Sequence, residues 1–326
     1  MSVVKADWQE GFLAGDTRAL ARAISAAENE PEVVHSFLQE HSGRLGRAHV
    51  VGITGPPGAG KSTLTGQLAV TLVARGYSVG LLLVDPSSPF TGGAILGDRL
   101  RLPDLAQGSS SQIYVRSLSS RGSMGGLSRA TADAIKLLDA FGKDIIIVET
   151  VGTGQSETDI ISVADSVVVL AVPGLGDDIQ AMKAGILEIA DLFVVNKADR
   201  DGADKTEREL LSMLKLQASS SGWTIPVIKT VAIRNEGIAD LADQLLAHYE
   251  FLQTSGLLLE VRTARVKSEL NELLQLRLTQ EFQKVVGAAR YEEYTQQIVS
   301  GNISPYEAVN QLWQEFVSEI KRSASS

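Results

Sequence analysis

Short apolar runs alternate with amphipathic segments through the middle of the chain. After a glycine-containing break at residues 43–46, one apolar run enters a glycine-rich loop, and the helical pattern that follows ends at Gly76. The same order of strand and then helix recurs to about residue 256. Six runs predict strands: HVVGITG, SVGLLLVD, KDIIIVET, SVVVLAV, LFVVNKAD and TIPVIKT.

The predicted strands lack polar residues at alternate positions, which is typical of strands covered on both faces. Strands of this kind alternating with helices predict an α/β fold with a doubly wound, mostly parallel sheet. The helices that separate and follow the strands are predicted in GKSTLTGQLAVTLVARG, ATADAIKLLDAFG, DDIQAMKAGILEI, TERELLSMLKLQA and GIADLADQLLAHYEFL.

Helical periodicity marks both ends of the chain. Lys5 to about Ser42 predicts a cap of two helices divided at Pro31. From Leu257 to Lys321 the strands stop, and a long helix carries an apolar stripe that needs a partner, either its own domain or a second copy of the chain. The stripe comprises Val266, Leu270, Leu273, Leu274, Leu278, Phe282 and Val285. We therefore predict a helical extension at 1–46, an α/β domain at 47–256 and a helical arm at 257–326.

Composition excludes several kinds of site. The 326 residues include no cysteine, so disulfides, thiolate zinc sites, iron–sulfur clusters and thiol nucleophiles are absent. The histidines are not spaced like a helical metal pair, and we expect them to be structural or exposed. They are His35, His41, His49 and His248.

Charge and hydropathy restrict the partners and the location. The net charge is −9, and the longest basic run is the pair Lys321 and Arg322, so nucleic acid and anionic membrane are not expected partners. The N-terminal sequence MSVVKADWQE is unlike a signal peptide. The densest apolar run, Val167 to Val172, is far shorter than the ~18 residues of a membrane span. We expect a cytoplasmic protein.

The segment GPPGAGKST lies between a predicted strand and a predicted helix and matches the P-loop pattern G-x-x-x-x-G-K-[ST]. Its glycines let backbone N–H groups turn toward a phosphate chain, and the helix N-terminus adds partial positive charge. Lys61 is expected to reach the outer phosphates and Ser62 to bind Mg²⁺. The fold is thus predicted to be that of a P-loop NTPase. The predicted phosphate-binding residues are Gly55, Pro56, Pro57, Gly58, Ala59, Gly60, Lys61, Ser62 and Thr63.

The tetrapeptide NKAD follows an apolar strand, as the guanine-reading N-K-x-D element of GTPases does. The carboxylate of Asp199 can accept hydrogen bonds from N1–H and N2–H₂ of guanine, whereas adenine lacks that pair of donors. GTP and GDP are therefore the expected nucleotides. The loop at 231–233 is expected to close over the base, although Val231 replaces the more usual serine. The predicted base-side residues are Asn196, Lys197, Asp199, Val231, Ala232 and Ile233.

Glu149 ends a predicted strand in the sequence ETVG, where most GTPases carry D-x-x-G. That element senses the third phosphate through the N–H of its glycine, here Gly152, and holds magnesium through water. Gln155 is the nearest candidate for orienting the attacking water. Asp85, at the end of a predicted strand, and Asp98, in a loop, offer further hard oxygen ligands for a metal ion. The alternative interpretation is that these two residues cap a strand end and a turn. The predicted metal ligands are Ser62, Asp85, Asp98 and Glu149, and the predicted catalytic residues are Lys61, Asp98 and Glu149.

Over nearly its whole length the chain resembles the MeaB/ArgK family of P-loop GTPases, which includes the human methylmalonic aciduria type A protein. The resemblance implies a GTPase that assists an adenosylcobalamin-dependent acyl-CoA mutase, such as methylmalonyl-CoA mutase, by gating cofactor delivery and protecting or rescuing the enzyme. The stretches that carry it are GPPGAGKST, VDPSSPFTGGAILGDR, RGSMGGL, VETVGTGQSE, PGLGDDIQAMKAGILEIAD and VNKAD.

The resemblance also implies features that the residues alone do not indicate. One is a homodimer built through the C-terminal helices. Another is a mobile loop at 173–185 that links the nucleotide state to the mutase. Its proposed working residues are Asp177, Asp178 and Lys183.

Other functions remain as alternatives. A nucleotide-dependent scaffold would use binding rather than hydrolysis, with the helical arm as its working part. A kinase linked to arginine and ornithine transport would need an acceptor site and would more naturally use ATP, whereas NKAD selects guanine. Nickel-inserting GTPases share E-x-x-G but normally hold their metal with cysteine and histidine, so Mg²⁺ on oxygen ligands is the metal expected here.

With no arginine finger or glutamine in a diagnostic place, hydrolysis is expected to be slow without the mutase.

Overall fold

The computed structural model describes residues 7–85, 112–119, 129–150, 159–174, 188–216 and 222–324. The chain divides into two compact units, Met1–Val261 and Arg262–Ser326. The first unit contains the N-terminal helices and the sheet, and the second contains the later C-terminal helices. Among the described helices, none combines the length and apolar composition needed to cross a bilayer.

The described strands form one parallel sheet in the order β3-β2-β4-β1-β5-β6-β7. Every residue of β1, β4, β5 and β6 is buried, as expected for strands without polar alternation. The predicted doubly wound parallel fold is confirmed. The strand bounds are β1 His49–Thr54, β2 Val79–Asp85, β3 Ile113–Ser119, β4 Ile145–Thr150, β5 Ser166–Ala171, β6 Leu192–Asn196 and β7 Val227–Thr230.

Helices cover both faces of the sheet. Successive residues of β4 belong to different apolar clusters, since Ile145 and Ile147 pack with α4 and α7, whereas Ile146 and Val148 pack with α5 and the N-terminal helices. The helix bounds are α1 Gln9–Leu13, α2 Thr17–Asn29, α3 Pro31–Glu40, α4 Lys61–Ala74, α5 Arg129–Phe141, α6 Ala203–Leu216, α7 Ile238–Ser255, α8 Leu257–Val286, α9 Ala288–Val299 and α10 Pro305–Ala324. The helix predicted at 177–189 lies largely outside the described residues.

The N-terminal cap differs from the prediction, because it contains three helices rather than two. Gly15 has φ +83°, a backbone conformation that ends α1. Asp16 then begins α2 by accepting a hydrogen bond from the backbone N–H of Arg18 at 2.9 Å. Pro31 opens α3, at the division that the sequence predicted.

The second unit has a small core of its own. Tyr294, Ala308 and Leu312 are buried there, with Phe282 packed against them. The Arg290 guanidinium binds the Glu315 carboxylate at 2.6 Å, which links α9 to α10.

Polar groups form a chain at the edge of the sheet where the strands begin. The ring of His49, at the start of β1, lies with Nε2 2.7 Å from the Ser166 hydroxyl, and that hydroxyl lies 2.8 Å from Nδ1 of His248. Nε2 of His248 lies 3.5 Å from the Asp191 carboxylate. Burial raises the pKa of Asp191 to about 7. Burial also lowers the pKa of His248 to about 4, against a smaller opposing effect of Asp165.

Replacing Asp191 and replacing His248 are expected to change the pH dependence of the free energy of unfolding in opposite directions. Between about pH 4 and pH 6.5 the folded pair holds its proton on Asp191, and the unfolded pair holds one on His248, so the proton counts match. In Asp191→Asn, His248 is the member of the pair that still titrates. The stability of this variant should fall as the pH drops from 6.5 to 4, because only the unfolded state then binds a proton on His248. In His248→Asn, the Asp191 carboxyl still titrates. The stability of this variant should fall as the pH rises from 4 to 7, because the unfolded state releases the proton that the folded state keeps on Asp191. Urea unfolding across this range tests both, and parallel curves for the two variants would contradict the assignment.

Candidate functional site

The predicted nucleotide residues gather at one edge of the sheet. Because all described strands are parallel, the carboxyl ends of β1, β4, β6 and β7 lie along the same edge. The P-loop follows β1, Glu149 lies near the end of β4, and Asn196 ends β6. Val231 comes directly after β7. Register brings Ile53 of β1 beside Glu149 of β4, so the carboxyl ends of these two strands lie side by side.

Two glycines of the P-loop have no room for a side chain. A Cβ on Gly55, whose φ is +143°, would lie 2.7 Å from the carbonyl oxygen of Leu170. A Cβ on Gly60, whose φ is +87°, would lie 2.6 Å from Nδ2 of Asn196. The loop therefore needs glycine at both positions, for conformation and for space. Its other predicted members lie in the loop itself or in the first turn of α4: Pro56, Pro57, Gly58, Ala59 and Thr63.

Lys61 folds back over the loop from which its helix starts. Its Nζ donates to the backbone carbonyls of Gly55 at 2.8 Å and Pro56 at 3.1 Å, and the residue is only 8% exposed. An ammonium group is thus already positioned within the loop that would surround a phosphate chain.

Two predicted magnesium ligands come together beside this lysine. The Ser62 hydroxyl donates to Oε1 of Glu149 at 2.7 Å. Next to them, the hydroxyl of Thr150 donates to that of Thr54 at 3.0 Å, a buried contact that links the ends of β4 and β1. Sequence reasoning did not single out these threonines, because their contact depends on strand order.

The other predicted switch residues are described in part or not at all. Asp85 ends β2, the neighbour of β4, so its backbone lies at the same edge of the sheet. Asp98, Gly152 and Gln155 lie outside the described residues, as do Asp177, Asp178 and Lys183. Within the part of the chain that the structure describes, no three acidic or histidine side chains are grouped to hold a metal ion.

Asn196 links the P-loop to the loop at 231–233, which is expected to close over the base. Its Nδ2 donates to the carbonyl of Ala59 at 2.8 Å, and its Oδ1 accepts from the Thr230 hydroxyl at 3.1 Å and the Ala232 N–H at 3.2 Å. Only an amide offers a donor and an acceptor in this arrangement, and an aspartate would lose the first bond. Lys197, with φ +56°, donates from Nζ to the carbonyl of Gly58 at 2.6 Å.

Asp199 faces an arginine that sequence reasoning missed. Oδ2 of Asp199 accepts from Nη2 of Arg234 at 3.1 Å. Arg234 ends a short 3-10 turn at Ala232–Arg234, in which Ile233 is 75% exposed. The two charged residues are 35 positions apart, and only the pairing of β6 with β7 brings them together.

Comparisons with known proteins cover the part of the chain that contains these residues. A protein family described as methylmalonyl Co-A mutase-associated GTPase MeaB matches residues 20–286, a range that contains every predicted nucleotide residue. A protein of Pyrococcus abyssi named as a GTPase is 45% identical over 306 residues, which cover 93% of this chain and 94% of that protein. The mitochondrial methylmalonic aciduria type A homolog of Mus musculus is 36% identical over 274 residues, 82% of this chain and 65% of that protein.

One solved structure has the same fold over nearly the full length. It is described as an LAO/AO transport system kinase and aligns with a TM-score of 0.74, covering 98% of this chain and 99% of that one at 24% identity. At that identity the likeness establishes the fold alone.

Proposed function

The chain belongs to the MeaB family of methylmalonyl-CoA mutase-associated GTPases, and on that premise we propose that it is a GTP-driven switch for an adenosylcobalamin-dependent acyl-CoA mutase. In this role it gates delivery of the cobalamin cofactor and protects or reactivates the mutase. The observation that supports a switch is the three-bonded Asn196, which joins the loop for the phosphates to the loop for the base. A nucleotide that contacts one of these loops therefore also affects the other, through Asn196.

Lys61 supplies positive charge at the phosphate end. Its ammonium group donates to two neutral carbonyls, and hydrogen bonds to charged phosphate oxygens are stronger. GTP binding draws the lysine from these carbonyls onto the outer phosphates. The N–H groups at the start of α4 add donors and the partial positive charge of the helix end.

The Ser62–Glu149 pair fits a Mg²⁺ ion. Both side chains present oxygen atoms, which this ion prefers, and the 2.7 Å hydrogen bond between them keeps those atoms close together. Asp85 and Asp98 complete the proposed oxygen ligands. When bound, Mg²⁺ neutralises charge on the outer phosphate oxygens.

Hydrolysis transfers the terminal phosphoryl group to water, breaking its bond to the bridging oxygen and releasing GDP and phosphate. Lys61 stabilises the negative charge that this oxygen and the phosphoryl oxygens carry in the transition state. Gln155, the candidate for orienting the attacking water, lies outside the described residues. Because the sequence has no arginine finger or glutamine in a diagnostic place, we expect slow hydrolysis that the mutase accelerates by ordering the loop after Glu149. Titrating GTP turnover with a mutase tests the proposal.

Contact with the mutase is assigned to the segment at 173–185. Asp177, Asp178 and Lys183 are the residues proposed to read the nucleotide state for the partner. The segment begins directly after β5, the neighbour of β1, so its first residues lie beside the P-loop edge of the sheet.

A second copy of the chain is the proposed partner of the helical arm. No residue of α8 is buried, and Val266, Leu270 and Leu278 are 62%, 55% and 56% exposed. Phe282, farther along the same stripe, packs against the small core of the second unit. The stripe from Val266 to Leu278 thus remains for a partner in a homodimer.

Leu270→Glu is expected to convert the dimer to a monomer, because it places a charge at the centre of the apolar stripe. Sedimentation equilibrium of the full chain measures the mass. Ser268→Glu, which adds the same charge to an exposed position on the opposite side of the helix from Leu270, is the matched control and should leave the dimer intact. A monomeric native chain, or a Leu270→Glu variant that still dimerises, would contradict this interface.

A further inference from the structure

The carboxylate proposed to read guanine is held by an ion pair. Nη2 of Arg234 donates to Oδ2 of Asp199 at 3.1 Å, and the side chains are 54% and 29% exposed. We propose that Arg234 is a positioning residue, which fixes the Asp199 carboxylate in the orientation that selects guanine. The inference rests on the guanine recognition by Asp199 proposed above.

The loop that carries Arg234 has a closely determined shape. Val231 and Glu236 exchange backbone hydrogen bonds of 3.1 and 3.3 Å, and Asn235 between them has φ +57°. At the exit, a Cβ on Gly237 would lie 2.1 Å from the carbonyl oxygen of Lys229, so this turn requires glycine. The position of the Arg234 backbone is therefore set by the loop before any nucleotide binds.

A second carboxylate lies near the other side of the guanidinium group. Nη1 of Arg234 lies 3.8 Å from the Glu236 carboxylate, while Nη2 contacts Asp199. The planar group is thus placed between two acidic side chains, which limits its rotation. Restricting the arginine also restricts the carboxylate to which it donates.

Asp199 has capacity for the arginine and the base together. A carboxylate can accept about four hydrogen bonds, and guanine needs two of them. Among the described residues, Arg234 is the one whose side chain donates to Asp199. The Val231 side chain has no donor, and the Thr230 hydroxyl is bonded to Asn196. Among the described side chains, Arg234 is therefore the one that orients the Asp199 carboxylate.

Orientation matters most for a ligand that makes two bonds to the carboxylate. Guanine donates from N1–H and from the 2-amino group, whereas hypoxanthine has N1–H alone. Without Arg234 the Asp199 carboxylate becomes ordered only when the nucleotide binds. The entropic cost of this ordering weakens mainly the second hydrogen bond, from the 2-amino group. Loss of the arginine should therefore weaken GDP more than IDP.

Isothermal titration calorimetry of the full chain with GDP, IDP and ADP tests this inference. Arg234→Ala should raise the Kd for GDP about fivefold, the upper range for a surface ion pair, and that for IDP by less than about twofold. Arg234→Lys should recover part of the loss, since it keeps the charge but not the planar fork. Arg200→Ala is the matched control: Arg200 is exposed, follows Asp199 directly and forms no described ion pair with it. An unchanged thermal midpoint verifies that each variant is folded.

Three results would overturn the positioning role. Equal weakening of GDP and IDP indicates a general charge effect, tighter GDP binding indicates that Arg234 competes with the base, and unchanged binding shows that the ion pair is irrelevant. All three leave the preference of the native chain for GDP intact. A native chain that binds GDP no better than IDP and ADP would instead overturn guanine reading by Asp199, and this inference with it.

Discussion

Replacing Lys61 by alanine is expected to lower GTP turnover by about a hundredfold or more, with and without a mutase, because the transition state loses its nearest cationic donor. The structure places this ammonium group inside the P-loop, within 3.1 Å of two carbonyls, and alanine removes that charge from the loop. Phosphate release at saturating GTP measures the effect.

The matched control for this variant is Lys205→Ala, which removes an exposed lysine of α6 and should leave turnover unchanged. Turnover of Lys61→Ala within about threefold of native would contradict the assigned role. The variant also separates a switch from a scaffold. If it still binds GTP and still protects the mutase without hydrolysis, nucleotide binding alone suffices and the scaffold alternative is favoured.

Asp199→Asn is expected to change the preferred base from guanine to xanthine. The new amide donates where guanine also donates from its 2-amino group, whereas the 2-carbonyl of xanthine can accept that bond. We expect GTP affinity to fall about a hundredfold or more and XTP to become the better ligand. Competition binding with GTP, XTP and ATP measures the preference.

The exposed neighbour Asp201 provides the control. Asp201→Asn makes the same chemical change two residues away and should keep the preference for GTP. A variant with asparagine at 199 that still prefers GTP would show that another group reads the base.

The central strands were predictable because burial on both faces leaves a continuous apolar run, as in IIIV of β4. β3 was missed for the opposite reason. It is an edge strand, and Leu118 is its buried apolar residue, while Val115 is 38% exposed and Arg116 bonds to α2. A search for apolar runs does not detect such a strand.

The P-loop was predictable because its requirements are local: glycines at positive φ and a lysine at the start of a helix. The contacts between distant residues were not. Ser62 meets Glu149 across 87 positions, and Arg234 meets Asp199 across 35, and both contacts depend on strand order. Arg234 carried no signal in a single sequence beyond being a cation near the expected base loop.

The most direct measurement of the proposed switch is GTP turnover by the native chain as methylmalonyl-CoA, ethylmalonyl-CoA and isobutyryl-CoA mutases are titrated separately. One of them should raise turnover by at least about fivefold, the low end of typical coupling between a partner and a site, and the stimulation should saturate and be absent in Lys61→Ala. A rate that stays flat at saturating concentrations of all three mutases would contradict the proposed function.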